Sequence, residues 1–162
     1  MDHFGQYNPG SGASSPSRYP LKWHKFLIYF ALWFGAVVNA GLAISYMGGT
    51  VSTALDGALY ARYGAMKTVD VINGAACLAI AVYMIYVRFQ LAGFKIGAPR
   101  KLILVYTAVL ILNLMYLLAV LLITSGSASE IIGQMVVQFI MSAILIFANQ
   151  NYYSKRLELF VN

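Results

Sequence analysis

The sequence predicts an all-α integral membrane protein, a four-transmembrane-helix antiparallel bundle. Hydrophobic residues make up 60% of the 162 residues and charged residues only 10%, whereas a soluble domain carries roughly 25% charged residues. The mean hydropathy of +0.72 places the chain in the membrane class. The apolar residues gather in four long runs, and these runs lack the short alternating segments of a membrane β-barrel.

The first 20 residues differ from the rest of the chain. The segment MDHFGQYNPGSGASSPSRYP is rich in Gly, Ser, Pro and Tyr. It lacks the apolar region of a secretory signal peptide, and its composition is typical of segments that cannot bury enough apolar surface to fold. We therefore expect a disordered cytoplasmic tail at 1–20 and a four-helix transmembrane domain at 21–162.

The four apolar runs predict helices over about 26–47, 71–87, 102–124 and 131–148. A helix needs roughly 20 residues to cross the hydrocarbon, with a range of about 17–25. The first and third runs meet this length. The second and fourth are at its short end, and we expect them to draw in flanking residues while Arg88 and Lys155 extend to the headgroups.

The distribution of Lys and Arg predicts the orientation. The N-terminal flank, the second loop and the C-terminal tail hold nine of these residues, and the first and third loops hold two. Because cytoplasmic loops carry an excess of Lys and Arg, both termini and the second loop are expected to be cytoplasmic. These basic residues flank membrane runs and do not cluster on a soluble face, so no nucleic-acid partner is predicted.

The loops add detail to the bundle. The third loop, SGSASE, is short enough to make the third and fourth helices antiparallel neighbours. The first loop is longer, and its residues Leu55, Leu59, Tyr63 and Met66 recur at helical spacing. We expect a short helix there, lying on the outer surface of the membrane.

Three amide side chains on three different helices are predicted to share one depth. From the helical rise, Asn39, Asn113 and Gln138 each lie roughly 10 to 14 Å below the outer boundary. One interpretation is a polar cavity or a small permeation path. The favoured interpretation is interhelical hydrogen bonding, because amides in lipid are costly unless they face other helices. In either case we expect these three residues to form one cluster.

The fourth helix continues this polar surface. Gln134, Gln138, Ser142 and Asn149 fall within about 80° of arc on that helix. Gln134 and Ser142 are therefore added to the candidate intramembrane polar cluster. Asn149 is expected to lie near the inner headgroups, where it needs no buried partner.

Asp70 and Asn73 form a second candidate site at the outer mouth of the bundle. With Cys77 they occupy positions i, i+3 and i+7, which share one face of the second helix. One interpretation makes Asp70 a cation or proton site. The favoured alternative is an exposed acid in the first turn that complements the helix dipole.

The sequence favours neither catalysis nor a cofactor. It contains no HExxH, GxSxG or phosphate-loop motif and no paired carboxylates, and His24 is the only histidine outside the tail. The single cysteine, Cys77, allows no intramolecular disulfide and no cysteine zinc site. We therefore predict no enzyme, no cofactor and no metal site.

Several segments resemble a group of small four-span membrane proteins of Gram-positive gut bacteria. They are LKWHKFLIYFALWFGAVVNA, the KTVD lead into the second helix, the loop YVRFQLAGFKIGAP and the ending ANQNYYSKRLELF. The resemblance covers about Leu21 to the C-terminus and implies a multi-pass protein of a bacterial plasma membrane. Some members carry a zinc ribbon with cysteine pairs before the first helix. That region lacks cysteine here, so no zinc function carries over, and the group has no established activity to transfer.

The function expected from these patterns is that of a non-enzymatic accessory or interaction protein. Small residues on the first and second helices, among them Ala31, Gly35, Ala75 and Ala79, permit close helix approach within the chain or between copies. The expected partners are the lipid bilayer and a membrane protein or a second copy of the chain. The alternative is a small transporter or channel subunit that acts as an oligomer.

Overall fold

The computed structural model describes residues 21–51, 58–125 and 129–161, without the side chains of 129–132 and 134. Every regular element in these ranges is helical, as the sequence predicts. The long helices are α1 (Lys22–Met47), α2 (Ala65–Ala92), α3 (Ala98–Thr124) and α4 (Ser129–Ser154). Each contains a stretch that is long and apolar enough to cross a membrane. The tail predicted to be disordered, 1–20, lies outside the described residues.

The helices extend beyond the apolar runs that predict them. The second run predicts a helix over 71–87, whereas α2 spans Ala65–Ala92. The fourth predicts 131–148, whereas α4 spans Ser129–Ser154. Hydropathy marks only the part of a helix that suits hydrocarbon, and a backbone can stay helical through polar flanks. Because α2 begins at Ala65, Asp70 lies within this helix and is preceded by a full turn of it.

The helix α1 contains a π-helical stretch, Leu27–Ala31. Such a stretch disturbs the regular backbone ladder. The Nε of Arg88 on α2 donates to the Ile28 carbonyl at 3.4 Å, and its guanidinium lies 5.3 Å from the ring of Trp33. Arg88, which the sequence places at the headgroups, therefore also binds α2 to the irregular part of α1.

Two glycines allow α1 and α2 to approach closely. A Cβ at Gly74 would lie 2.9 Å from the carbonyl oxygen of Ala43, and one at Gly35 would lie 3.1 Å from the sulfur of Met84. The small residues therefore contribute to packing within the chain. Ala75 and Ala79 are different, because both are exposed and line a groove of about 750 Å³ on the outside of α2.

The buried apolar side chains form two layers. The basal layer combines the beginnings of α1 and α3 with the ends of α2 and α4; its members include Leu27, Leu32, Met84, Val87, Leu102, Val105 and Tyr153. The apical layer lies further along α1 and α3; its members include Ala43, Tyr46, Leu59, Met66, Tyr116, Val120 and Met135. Between the two layers, single polar residues interrupt the apolar runs of three helices: Asn39 on α1, Asn113 on α3, and Gln138 and Ser142 on α4.

The connection between α2 and α3 is a turn that packs on α1. Gly97 has φ +80°, a conformation that glycine adopts readily, and Pro99 lies in the first turn of α3, where proline is tolerated. Phe94 has φ +48°. Its ring stacks on His24 at 4.9 Å between centroids, and the Nδ1 of His24 lies 2.9 Å from the Tyr153 hydroxyl. The turn, α1 and α4 thus meet in one aromatic cluster.

Candidate functional site

A polar cavity lies between the basal and apical layers. Its volume is about 230 Å³, and all four long helices contribute to its wall. The side chains that line it are Val38, Asn39, Leu42, Tyr46, Asn73, Cys77, Val109, Leu112, Asn113, Gln138, Met141, Ser142 and Leu145. None of these side chains is charged, and five of them carry an amide or an aliphatic hydroxyl group.

The cavity brings together most of the predicted polar cluster. Asn39, Asn113, Gln138 and Ser142 all line it, so the three amides predicted to meet do face one space. Asn73, predicted as part of a separate site, lines the same space. The Gln134 side chain lies outside the described residues, so its predicted membership stays a prediction.

Asn39 satisfies its amide group locally. Its Nδ2 donates to the Gly35 carbonyl one turn earlier at 2.8 Å and lies 3.8 Å from the sulfur of Met84. The favoured interpretation is interhelical hydrogen bonding. For Asn39 the short bond lies within its own helix, and its one contact with another helix is the weaker one to the Met84 sulfur on α2.

Asn73 is the cavity residue with an unmet hydrogen-bonding group. The residue is only 6% exposed, and its Oδ1 has no hydrogen-bond partner among the described residues. Burying an amide oxygen without a donor costs free energy. Asn73 also borders a second cavity of about 190 Å³, whose other walls are apolar apart from Tyr116. The oxygen itself is inaccessible to a water molecule, so neither cavity exposes it.

The favoured interpretation of Asp70, an exposed acid in the first turn of its helix, is wrong. Asp70 is 0% exposed. Because α2 begins at Ala65, Asp70 lies in its second turn. Its two carboxylate oxygens accept hydrogen bonds from the hydroxyls of Tyr60, at 2.6 Å, and Tyr116, at 2.8 Å. The carboxylate is thus a buried structural centre that joins α2, α3 and the first loop.

The first loop positions Tyr60 over the apical layer. The loop contains a short helix, Leu59–Arg62, whereas Leu55, the first residue of the predicted pattern, lies outside the described residues. Leu59 is buried in the apical layer, so this helix packs on the bundle. Its position at the outer surface of the membrane stays a prediction. Gly49 has φ +73°, and a Cβ there would lie 2.7 Å from the Tyr60 ring. Glycine at position 49 therefore lets the Tyr60 ring cover the end of α1 and reach Asp70.

Two tyrosines, Tyr116 and Tyr46, connect Asp70 to the cavity. The rings of Tyr46 and Tyr116 meet edge to face, with centroids 5.1 Å apart. Tyr46 lines the cavity, while Tyr116 binds Asp70. Neither Tyr116 nor Tyr60 is a candidate from the sequence. Tyr116 lies inside the third apolar run, where a tyrosine hydroxyl needs a buried partner, whereas Tyr60 lies in a loop and gives no such signal.

The prediction that Asn149 needs no buried partner is also wrong. Asn149 is 0% exposed. Its Oδ1 accepts a hydrogen bond from the Trp23 indole at 3.1 Å, and its Nδ2 donates to the Leu145 carbonyl at 2.8 Å. Asn149 therefore joins α1 to α4 on the basal side. The sequence does not make Trp23 a candidate, although a buried indole N–H needs an acceptor and is the signal for this bond.

Within the part of the chain that the structure describes, no three His, Cys, Asp or Glu side chains come together to hold a metal ion. Cys77 is buried beside the cavity. No family model, curated protein or solved structure matches the chain. The resemblance to small four-span bacterial proteins therefore stays a prediction, and the functional argument depends on the cavity and its surroundings.

Proposed function

We propose that the protein is a non-enzymatic accessory protein of a bacterial plasma membrane. In this proposal its four long helices cross the bilayer in antiparallel order, and both termini and the α2–α3 turn are cytoplasmic. The distribution of Lys and Arg supports this orientation. The hydropathy and length of the helices support the crossing.

The observation that carries this proposal is the apolar layer on the basal side of the polar cavity. A channel or transporter needs polar groups along a path across the whole bilayer. Here the cavity ends against the basal layer, where α1, α2 and α3 present side chains such as Leu32, Met84 and Val105, all buried. A cavity closed on its basal side supports a protein that binds rather than one that conducts.

The exposed groove on α2 supports a partner in the membrane. Ala75 and Ala79 are small and one turn apart, and they form its floor together with Leu78 and Val82. Helices in lipid associate by close packing at small residues. This shallow apolar face of α2 supports packing against a partner helix, from another protein or from a second copy.

A small transporter or channel subunit is the second candidate. The buried carboxylate of Asp70 favours it, because ionisable groups inside a membrane protein often mark an ion pathway. In an oligomer, a path could run between copies instead of through the basal layer.

Reconstitution separates the two candidates. The purified full-length protein is placed in liposomes loaded with pH- and potassium-sensitive dyes, and gradients are imposed, with an ionophore as the positive control. The accessory proposal predicts fluxes equal to those of protein-free liposomes. A flux that rises with protein content and falls in Asp70→Asn would contradict it and favour transport.

Crosslinking in cells tests the partner surface. A photocrosslinking amino acid replaces Ala79 in the groove or, as the control, Leu122, which is highly exposed on α3. The proposal predicts a discrete adduct from position 79, of a mass equal to a dimer or to a heteromer, and none from position 122. Equal, diffuse labelling at both positions would show that lipid alone covers the groove.

A further inference from the structure

Arg88 is a cation at the boundary of the apolar run of α2. It directly follows that run, 71–87, and lies about 6 Å from the end of the helix at Ala92. Its guanidinium forms no ion pair with a residue that the structure describes. Because a charge at this depth is costly without a compensating group, the position favours an anion from outside the chain.

The irregular part of α1 holds the guanidinium through Nε. In the π-helical stretch, the Leu32 N–H bonds to the Leu27 carbonyl five residues earlier, whereas an α-helix would direct it to Ile28. The Ile28 carbonyl accepts a hydrogen bond from Arg88 Nε at 3.4 Å. This bond engages Nε and none of the donors on the two terminal nitrogens.

Two aromatic rings flank the same guanidinium. Its Cζ lies 5.3 Å from the ring centroid of Trp33 on α1 and 4.7 Å from that of Phe89 on α2. A cation beside the face of an aromatic ring is attracted to it. The Ile28 carbonyl and the two rings therefore orient Arg88 before any ligand binds.

The two terminal nitrogens of Arg88 are the groups that remain for a ligand. Neither donates to a described residue, and neither is enclosed, since Arg88 is only half-buried. These nitrogens can donate two parallel hydrogen bonds to the oxygens of a phosphate group. Phospholipids place such groups at the membrane boundary, at the depth of Arg88.

The rings beside Arg88 favour a lipid over a free phosphate ion. Trp33 and Phe89 are 41% and 56% exposed, so they present apolar surface next to the guanidinium. Acyl chains can cover this surface, whereas a free ion would leave it uncovered. The arrangement therefore combines a donor for a phosphate group with a surface for the chains attached to it.

We infer that Arg88 binds the phosphate group of an anionic phospholipid in the inner leaflet. The phosphate accepts from the terminal nitrogens, and the acyl chains lie against Trp33 and Phe89. The inference rests on the proposed membrane crossing and orientation, but it requires neither a partner protein nor an absence of flux. Lipid binding measured in detergent can therefore fail while the accessory proposal holds, and the accessory proposal can fail while lipid binding is observed.

Three ligands test this inference. The purified full-length protein in detergent is titrated with dioleoylphosphatidylglycerol, with dioleoylglycerol, which has the same chains and no phosphate, and with inorganic phosphate. Native mass spectrometry measures the bound lipid, and thermal unfolding measures stabilisation by each ligand. The inference predicts saturable binding of the phospholipid and at least tenfold weaker binding of the other two. Equal binding of the two lipids, inorganic phosphate binding as tightly as the phospholipid, or binding of none of them would overturn it.

A matched pair of variants locates the site. Arg88→Gln removes the charge and the paired donors, so the affinity for dioleoylphosphatidylglycerol should fall at least tenfold. Arg100→Gln removes the same charge from an exposed position in the first turn of α3 and should leave the affinity unchanged. Equal losses in the two variants would show that binding follows net charge alone and would contradict the inference.

Phe89→Leu tests the site even if Arg88→Gln does not fold. The change affects an exposed ring, so the fold should persist, while the guanidinium loses one of its two aromatic neighbours. The affinity for dioleoylphosphatidylglycerol should fall at least threefold. A folded Phe89→Leu protein that binds this lipid as tightly as the unchanged protein would contradict the inference.

Discussion

Asp70 is a fully buried carboxylate, and its two tyrosine partners join three parts of the chain. The sequence places it in the first turn of the second helix, exposed at the membrane surface. In the structure it is covered by the short first-loop helix and bonded by two tyrosine hydroxyls. A buried carboxylate is tolerated only where donors satisfy it, so Tyr60 and Tyr116 make this position possible.

Removing one of these donors should destabilise the protein measurably. Tyr116→Phe leaves the ring in contact with Tyr46 but takes away the hydrogen bond to Asp70. Hydrogen bonds to charged groups contribute about 1.5–3 kcal/mol, so we expect a loss of that size in the free energy of unfolding. Denaturation of the purified protein in mixed micelles measures it.

The matched control for this change is Tyr29→Phe, at an exposed tyrosine of α1. It removes the same hydroxyl group from a position that faces away from the core, so the free energy of unfolding should change little. If Tyr116→Phe costs no more than Tyr29→Phe, the carboxylate–tyrosine contact does not hold the apical layer together.

At the scale of helices, the close packing of α1 against α2 requires that residue 74 have no side chain. The sequence predicts small-residue faces but does not indicate which of them pack inside the chain. In the structure Gly74 lies against the backbone of Ala43, whereas Ala75 and Ala79 face outwards. Residues one position apart differ by about 100° around the helix, and one sequence cannot show which direction its neighbours occupy.

Adding a single methyl group at Gly74 should separate the two helices. The new Cβ of Gly74→Ala would lie 2.9 Å from the Ala43 carbonyl oxygen and 2.8 Å from a carbon of Met47. We expect a loss of about 1–3 kcal/mol in the free energy of unfolding, as for other overpacked sites, although alanine is the better helix former.

Gly41→Ala provides the comparison within α1. A Cβ at Gly41 meets nothing within 4 Å, so only the gain in helix propensity, about 1 kcal/mol, should remain. Unfolding of both variants in the same mixed micelles measures the difference. A Gly74→Ala protein as stable as Gly41→Ala would mean that α1 and α2 do not approach as closely as described.

At the scale of the whole molecule, the sequence predicts the helices better than it predicts their contacts. The number of long helices follows from hydropathy alone, because long apolar runs have few alternatives in lipid. The shared cavity of Asn39, Asn113 and Gln138 follows from depth, which the helical rise determines. Buried pairs such as Trp23 with Asn149 depend on the rotation and the length of helices that are far apart in the sequence.

The division into two apolar layers with a polar cavity between them is the basis of the proposed function. It places polar groups where they can bind a ligand and puts an apolar layer on the basal side. The layers combine the beginnings of some helices with the ends of others. This division serves a membrane protein only if the four helices alternate in direction across the bilayer.

Labelling of single cysteines from one side of the membrane tests most directly whether the four helices alternate in direction across the bilayer. Cys77→Ala removes the only cysteine, and Arg62→Cys, Arg100→Cys or Lys155→Cys introduces one at an exposed position. In intact bacterial cells, a membrane-impermeant maleimide should label the Arg62→Cys variant alone, and it should label the other two only after permeabilisation. Labelling of Lys155→Cys and Arg62→Cys from the same side of intact cells would contradict the four-span architecture.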